Sequence, residues 1–492
     1  MTHSTSMGES TLPPLTPGPH RKRIGLISIV ACLGGLLFGY DTGVSNGAEG
    51  PMQAELGLSD LQLGVAISSL VFAAAVGALL GGKISDAIGR RTTIIVLAVL
   101  FFVGVLVVVF SPGFGLLVAG RIILGLAVGG ASTVVPVYLA ELAPFEIRGS
   151  ITGRNELAIV VGQFTAFVVN YILFATLGHV EGVWRIMFGV CALPAVALFI
   201  GMLRMPESPR WLIEKGREQE ALAVLKTVRS EDRALAEFGQ VETVAEEEKD
   251  AHINFAAIFS NRWLRRIVFV GIGVSVTQQL TGINSIMYYG SRVLEESGFS
   301  ETAATLANTL FGLAAVVGGI IALYNMDRID RRKTFFIGLF LTTTCHCLVG
   351  IASLILPEGS PIRPYVILIL ITAFVLSMQT FLNIAVWVWL AEIFPLQIRG
   401  LAIGIAVFFG WFINGLLALY VPTLLAALGM GTFFLFAVIG VIMLGFLWHE
   451  VPETRNRSLE SLEEELLDGS IYQSLPRRLP FAGLLYDRRS RR

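Results

Sequence analysis

The sequence predicts an all-α membrane protein of twelve transmembrane helices, arranged as two pseudo-symmetric six-helix bundles with a helical insert between them. Three observations predict it. Hydrophobic residues make up 54% of the 492-residue chain and only 15% are charged, against roughly 25% charged in an average soluble domain, and mean hydropathy is +0.71. Apolar stretches long enough to cross a bilayer, about 20 residues each, follow one another from Ile24 to Trp448. The ten residues Ala140 to Gly149, AELAPFEIRG, return as AEIFPLQIRG at Ala391 to Gly400.

Two further pairs keep that register. GRR at Gly89 to Arg91 is matched by DRRK at Asp330 to Lys333, and PESPR at Pro206 to Arg210 by PETRN at Pro452 to Asn456. Asp330 lies 241 residues after Gly89, Ala391 lies 251 after Ala140, and Pro452 lies 246 after Pro206. Three charged motifs recurring in one order at nearly one spacing are not what chance similarity in apolar sequence produces. Parallel repeats with a site between them are the plan of secondary transporters.

Taken in order, the first-half spans fall at 24–45, 61–82, 92–111, 115–139, 152–177 and 185–205. The second-half spans fall at 266–290, 302–325, 334–356, 364–391, 401–425 and 431–449. The organisation expected is a disordered leader over 1–23, a bundle over 24–205, an insert over 206–265, a second bundle over 266–449 and a tail over 450–492. The leader is rich in Pro, Ser and Thr, and the first apolar segment is long and lacks a cleavage-like exit, so it does not read as a removable signal. In the insert, Trp211, Leu212, Leu222, Val224 and Leu225 offer an apolar stripe, while acidic runs such as Glu246 to Glu248 face solvent.

Lys and Arg set the orientation. One face collects Arg21 to Arg23, Lys83, Arg90, Arg91, Arg148, the basic residues from Arg204 to Arg266, Arg328 to Lys333 and the tail, whereas the other holds Arg292, Arg363 and Arg185. The basic face is expected to be cytoplasmic, with both termini inside and the chain in the plasma (inner) membrane. The Arg-rich tail end can touch anionic headgroups. The glycosylation-type sequence Asn456-Arg457-Ser458 falls on that same inner face.

The charge balance, formally −1, gives no reason to expect a nucleic-acid partner. All four cysteines, Cys32, Cys191, Cys345 and Cys347, lie inside predicted spans, where they act as small apolar residues. Cys345-His346-Cys347 invites a metal reading, but on a helix residues i and i+2 point about 200° apart, so no metal is expected. No Ser/His/Asp cluster or phosphate loop suggests an enzyme, and no cofactor is expected.

The motif set resembles the major facilitator superfamily, and within it the sugar porters, from about residue 24 to 465. It comprises FGYDTG at Phe38 to Gly43, GGKISDAIGRR at Gly81 to Arg91, GRIILG at Gly120 to Gly125, PESPRWLIEKGR at Pro206 to Arg217, QQLTGIN at Gln278 to Asn284 and VPETRNRSLE at Val451 to Glu460. NELAIVVGQ at Asn155 to Gln163, together with QQLTGINSIMYYG and TFLNIAVWVWLAEIFP, is most similar to the bacterial myo-inositol/proton symporters.

Several expectations follow from that resemblance. Asp86, Arg90, Arg91, Glu141, Arg148, Glu207 and Arg210 in the first half, with Asp327, Arg331, Arg332, Glu392, Arg399 and Glu453 in the second, are to form an ion-pair network that ties the halves together when the cavity faces outward and separates when it faces inward. The plainer reading is topology-setting charges in solvated pairs of roughly 0–1 kcal/mol each. The second copy has Asp330 where the first has Gly89, so the glycine-permitted turn must be made differently there.

Asp41 and Arg121 lie inside apolar spans, where an ionisable group is by default a functional hypothesis with a partner. Burial favours the neutral carboxyl and a neighbouring guanidinium favours the anion, so changing their separation changes proton affinity. The resemblance gives the pair the proton-coupling role; the alternative is a static buried ion pair. Glu156 stands where the family commonly has a glutamine that binds sugar. An ionised carboxylate only accepts hydrogen bonds, which suits a polyol. A second proton site and a helix-end residue with no direct role remain open alternatives.

A polyol needs convergent polar groups and an apolar wall in a concave site. Gln278, Gln279, Asn284, Tyr288 and Tyr289 would point about 0, 100, 240, 280 and 20° around an unbroken helix, which cannot face one cavity, so a break is expected at Gly282. The resemblance makes Gln278, Gln279 and Asn284 direct ligands, and Phe38, Gln163, Tyr288, Trp387 and Trp411 the lining; the aromatic residues can also be read as interface anchors. Many sugar porters carry Gly-Pro where this chain has Asn383 and Ile384, and an Asn where it has Ala315. Asn383, one turn from Trp387, can offer an amide instead.

The expected function is import of a small cyclic polyol, myo-inositol, with protons, by a monomer in the lipid bilayer. Alternatives are a hexose or pentose symporter or facilitator, for glucose, fructose, xylose or arabinose, and a sugar sensor of the same fold.

Overall fold

In this computed structural model residues 13–474 are described, except 17, 145–146, 240–260, 326–327, 396–398, 455–461, 463–464 and 467–468. The expectations for residues 1–12, for Glu246 to Glu248, for Asn456 and for the Arg-rich end, together with Asp327 and the side chains of Arg148 and Arg399, lie outside the described residues.

The first half contains α1 (Pro19–Leu56), α2 (Asp60–Ile88), α3 (Arg90–Val109), α4 (Phe114–Leu142), α5 (Arg148–Leu177) and a sixth crossing split into α6 (Val183–Gly189) and α7 (Ala192–Leu203). Short helices α8 (Pro209–Glu214) and α9 (Glu218–Val228) follow. The second half contains α10 (Arg262–Leu280), α11 (Ile283–Ser297), α12 (Glu301–Asn325), α13 (Arg331–Ile355), α14 (Arg363–Met378), a π-turn at Gln379–Asn383, α15 (Ile384–Ile393), α16 (Arg399–Leu428) and α17 (Thr432–Glu450). The last two crossings form one apolar stretch, Leu401–Glu450, folded as two helices around a 3₁₀ turn at Gly429–Gly431. The twelve-crossing plan is therefore realised, with three crossings interrupted.

Local signals explain the ends. α1 stops at Gly57, which adopts the left-handed conformation at φ 62°, and α2 starts three residues later, at Asp60. There Ser59 accepts from the Gln62 backbone N–H at 3.2 Å, and the Gln62 side chain accepts from Ser59 N at 2.9 Å, closing a reciprocal capping box. α10 is capped by Asn261, which accepts from Trp263 N at 2.8 Å, and α8 by Ser208 ahead of Pro209, a favoured first helical residue. α1 runs eleven residues beyond the expected end at 45 because Ser45, Asn46 and Glu49 stay buried within the bundle.

α1 and α5 pack along a seam. At Gly35, Gly39, Gly43 and Gly47, spaced one turn apart, a side chain would collide with α5; at Gly39 a Cβ would lie 1.8 Å from the Ile159 carbonyl oxygen. Rows of small residues let membrane helices approach this closely. The halves meet where α2 lies against α16, α5 against α12 and α1 against α11.

The apolar stripe of the insert buries Trp211, Leu212, Ile213 and Ala221 in a small cluster of its own. Trp211 Nε1 donates to the Asp86 carbonyl at 3.0 Å, fixing α8 to the end of α2. At the leader, the Pro13 carbonyl accepts from Arg233 at 2.6 Å and the helix already begins at Pro19.

Candidate functional site

The two halves present different chemistry to their interface. In the first, Asp41 on α1 and Arg121 on α4 are both buried, 1% and 2% exposed. Arg121 Nη1 donates to Asp41 Oδ1 at 3.3 Å, Nη2 to Ser45 Oγ at 3.1 Å and Nε to the Ala66 carbonyl at 3.3 Å, and its guanidinium lies 5.5 Å from the Phe188 ring centroid. The other carboxylate oxygen, Asp41 Oδ2, is buried with no hydrogen-bond partner. Both residues belong to one half, so rigid rocking of the halves does not by itself part them. Arg121 keeps two neutral acceptors, Ser45 and Ala66, when its bond to Asp41 is lost.

In the second half the expected break is present. Gly282 adopts φ 78°, ψ 14° between α10 and α11, and a Cβ there would lie 2.9 Å from the Phe436 ring. The break gathers an amide chain: Gln278 Nε2 donates to Asn383 O and Oδ1, both at 3.2 Å, Gln279 Nε2 to Gln278 Oε1 at 3.4 Å, and Asn284 Nδ2 to Gln279 Oε1 at 2.8 Å. Asn383 reaches this chain from the π-turn, whose i→i+5 widening is a frequent functional-site device. Tyr288 OH accepts from Asn414 Nδ2 at 3.2 Å, and Tyr289 OH donates to the Ala418 carbonyl at 2.6 Å.

Phe38 and Trp411 meet across the halves, their ring centroids 5.4 Å apart. Gln163 is buried and Glu156 and Trp387 are half-buried. Glu156 and Gln163, seven residues apart on α5, share a helix face about 10 Å apart along the axis. Asn414, Asn46 and Asn308 were not anticipated, since single amides in apolar helices carry no repeat or spacing signal.

Asn46 joins the halves at the end away from the termini. Its Nδ2 donates to the Ile286 and Met287 carbonyls at 3.1 and 2.8 Å and to Asn308 Oδ1 at 3.3 Å, while its Oδ1 accepts from Ser291 N at 2.8 Å. Nearby, Arg292 pairs with Asp60 at 2.7 Å, again across the halves. Glu49 is buried beside them with both carboxylate oxygens unpartnered.

At the opposite, basic end the repeated motifs build two similar clusters. Arg90 pairs with Glu141 at 3.0 Å and Asp86 at 2.7 Å; Ser208 Oγ donates to Glu141. The Arg91 N–H donates to Glu207 at 2.9 Å and Tyr138 OH to the Pro206 carbonyl at 2.7 Å. In the second copy Arg331 pairs with Glu392 at 3.0 Å, Thr454 Oγ1 donates to Glu392 at 2.6 Å, and the Arg331 and Arg332 N–H groups donate to Glu453 at 3.0 and 2.9 Å. Trp389 Nε1 donates to the Pro452 carbonyl at 3.0 Å. These pairs each join elements of a single half. Arg210 lies 3.7 Å from Glu214, and partial burial raises the Glu214 carboxyl above its ordinary range while the Arg90 charge opposes that shift.

A polar amide row thus lies in one bundle and a buried acid–base pair in the other. The family model for the sugar (and other) transporters covers residues 27–466. The chain belongs to this family, the sugar porters of the major facilitator superfamily. It is 46% identical over 442 residues to the major myo-inositol transporter IolT of Bacillus subtilis strain 168, covering 89% of this chain and 93% of that protein. The inward-open conformation of the xylose transporter XylE from E. coli superposes with a TM-score of 0.78 at 28% identity, over 90% of this chain and 99% of that one. The proton:xylose symporter XylE bound to 6-bromo-6-deoxy-D-glucose gives 0.75 at 29% identity, over the same shares. These relatives are transporters, and the sugar porter is a multi-pass membrane protein that moves its solute without chemistry upon it.

Proposed function

We propose that this sugar porter is a proton-coupled symporter that carries myo-inositol into the cell. The buried Asp41–Arg121 pair carries the reading of coupling. Asp41 has one oxygen held by Arg121 and one without a partner. A proton seated on the latter neutralises the acid and leaves Arg121 held by Ser45 and Ala66. Proton loading thus removes the counter-charge of a buried cation, which is costly, and so favours rearrangement around Arg121, which Ser45 and Ala66 still hydrogen-bond.

The substrate reading rests on the amide chain from Gln278 to Asn383 and on likeness to the myo-inositol transporter. Amides both donate and accept, so Gln278, Gln279, Asn284 and Asn383 can match hydroxyls around a cyclic polyol while Phe38, Tyr288, Trp387 and Trp411 cover its C–H faces. Gln163 and Glu156 extend the polar wall along α5, Glu156 serving as an acceptor nearer the basic end. With the basic end cytoplasmic, both termini lie inside. Asn46 and the Asp60–Arg292 pair then close the outer side, supporting an inward-facing conformer in which the Arg90–Glu141 and Arg331–Glu392 clusters of the two halves stand apart. The halves are the 24–205 and 266–449 bundles, and one copy suffices.

Uptake of labelled myo-inositol into vesicles bearing the purified protein, with and without an imposed inward proton gradient, tests the proposal. Gradient-driven accumulation that Asp41→Asn abolishes, with weak competition by glucose and xylose, is the expected result. Saturable uptake indifferent to the gradient would sink the coupling. Strong xylose or glucose transport without inositol uptake would move the substrate to the sugars, the reading that likeness to the xylose transporter favours.

A further inference from the structure

The break in the seventh crossing interrupts the ladder of carbonyls at the end of α10, and three of them find partners locally. Thr281 N donates to the Thr277 carbonyl at 3.2 Å, Gly282 N to the Gln279 carbonyl at 3.0 Å, and Thr281 Oγ1 to the Gln278 carbonyl at 2.7 Å. The Thr281 carbonyl is turned out of the helical ladder by the left-handed Gly282. Its partner comes from another crossing: His346 Nε2 on α13 lies 2.8 Å away. A carbonyl can only accept, so Nε2 carries the hydrogen.

His346 is itself immobilised. It is 3% exposed, and its ring lies 4.4, 5.6 and 5.5 Å from the ring centroids of Phe374, Phe433 and Phe436. Phe436 is also the ring that lies against Gly282. One aromatic cage thus holds the imidazole and walls the glycine, so that the break is fixed from outside its own helix. Neither face of His346 reaches the amide chain, and no substrate contact is required of it.

We propose that His346 is a positioning residue for substrate binding, which holds the Gly282 break in the one geometry that brings Gln278 and Gln279, on one side, together with Asn284 on the other. A break is a place where the two helix segments can rotate about each other. A donor fixed to α13 removes that freedom at the carbonyl between the two groups of ligands, so the amides are arranged before substrate arrives and binding costs less ordering. The middle residue of the Cys345-His346-Cys347 run thereby acquires a role with no metal in it. The proposal rests on the reading of Gln278, Gln279 and Asn284 as substrate ligands.

The test compares His346→Leu, which removes the donor, and His346→Gln, which retains an N–H, with the unaltered protein and with Gln278→Ala, all in lipid nanodiscs or vesicles. Backbone hydrogen exchange over residues 281–286 is read without substrate, and the KM and maximal rate of myo-inositol uptake are read separately. The expected result for His346→Leu is faster exchange confined to the break and a KM raised roughly tenfold, within the range set by orphaning a buried carbonyl. Its maximal rate changes less than its KM, and His346→Gln recovers most of the loss.

Unchanged exchange in His346→Leu would overturn the proposal, as would equal damage in the Gln and Leu variants, which would mark a packing role only. If Gln278→Ala raises KM while His346→Leu does not, the positioning claim falls and the amide site stands. If neither raises KM, the amide reading falls and takes the positioning claim with it.

Discussion

The two basic-end clusters are built on one plan but held to different degrees. In both, an arginine at the start of the third crossing of its half meets a glutamate at the end of the fourth, and a Pro-Glu segment after the sixth lends its carbonyl and carboxylate to the knot. In the first half the Arg90 side chain is 7% exposed and its partner Glu141 11%. In the second, the Arg331 and Glu392 side chains are 9% and 27% exposed. The first cluster also binds the insert, since Ser208 both caps α8 and donates to Glu141, and Trp211 ties that helix to Asp86. The difference teaches that a duplicated motif conserves its hydrogen-bond logic while its neighbours decide how deeply that logic is buried.

Three comparisons test the contrast. The largest effect is expected from Arg90→Ala, which leaves Glu141 charged and shielded; breaking a buried pair costs roughly 3–5 kcal/mol, and Arg331→Ala, beside a better hydrated glutamate, should cost about half as much. Thermal midpoints of the two variants in matched detergent read the difference. Equal losses would mean that burial does not separate the clusters.

A smaller effect comes from the turn. Gly89 adopts φ 100° and a Cβ there would lie 2.4 Å from Glu207, whereas Asp330 in the second copy adopts φ −59°. Gly89→Ala is expected to cost about 1–3 kcal/mol, and Asp330→Ala to stay within roughly 0.5 kcal/mol. A harmless Gly89→Ala, judged by midpoint and by uptake, would remove the distinction.

The smallest effect is in pH dependence and belongs to the insert where it meets the first cluster. Burial raises the Glu214 carboxyl above its ordinary value of 4.5, with Arg90 opposing. The folded protein therefore holds this proton more readily than the unfolded chain does, and the contribution to stability falls as pH rises from the ordinary value through the raised one. The side chain is 37% exposed, which keeps the slope shallow. Glu214→Gln should flatten the change in midpoint between pH 4 and 7, and an unchanged slope would assign it to other groups.

Much of this was legible in the sequence for identifiable reasons. Twelve crossings followed from apolar length. The break at Gly282 followed from a conflict of angles: five polar residues could not face one cavity from an unbroken helix. The substitution of Asp330 for Gly89 announced a different turn, and the backbone has one. The π-turn at Gln379–Asn383 was not legible, because widening a helix by one residue needs neither Gly nor Pro and leaves the apolar pattern on both sides intact. The interruption between Gly189 and Ala192 did carry a signal, because Pro194 has no N–H for the Val190 carbonyl four residues earlier. Asn46 escaped notice because its importance lies in carbonyls 240 and 241 residues away, exposed only when α11 breaks from helical geometry at Tyr289.

The glycine seam between α1 and α5 has a mechanical consequence. Two helices in backbone contact over three turns behave as one beam, so Asp41, carried on α1, and Glu156 and Gln163, carried on α5, translate together and keep their spacing. Arg121 lies outside that seam, on α4, and meets it through Asp41 and Ser45. Under the proposed coupling, a proton arriving at Asp41 would be a clutch, setting whether α4 is engaged with the beam through charge or only through Ser45.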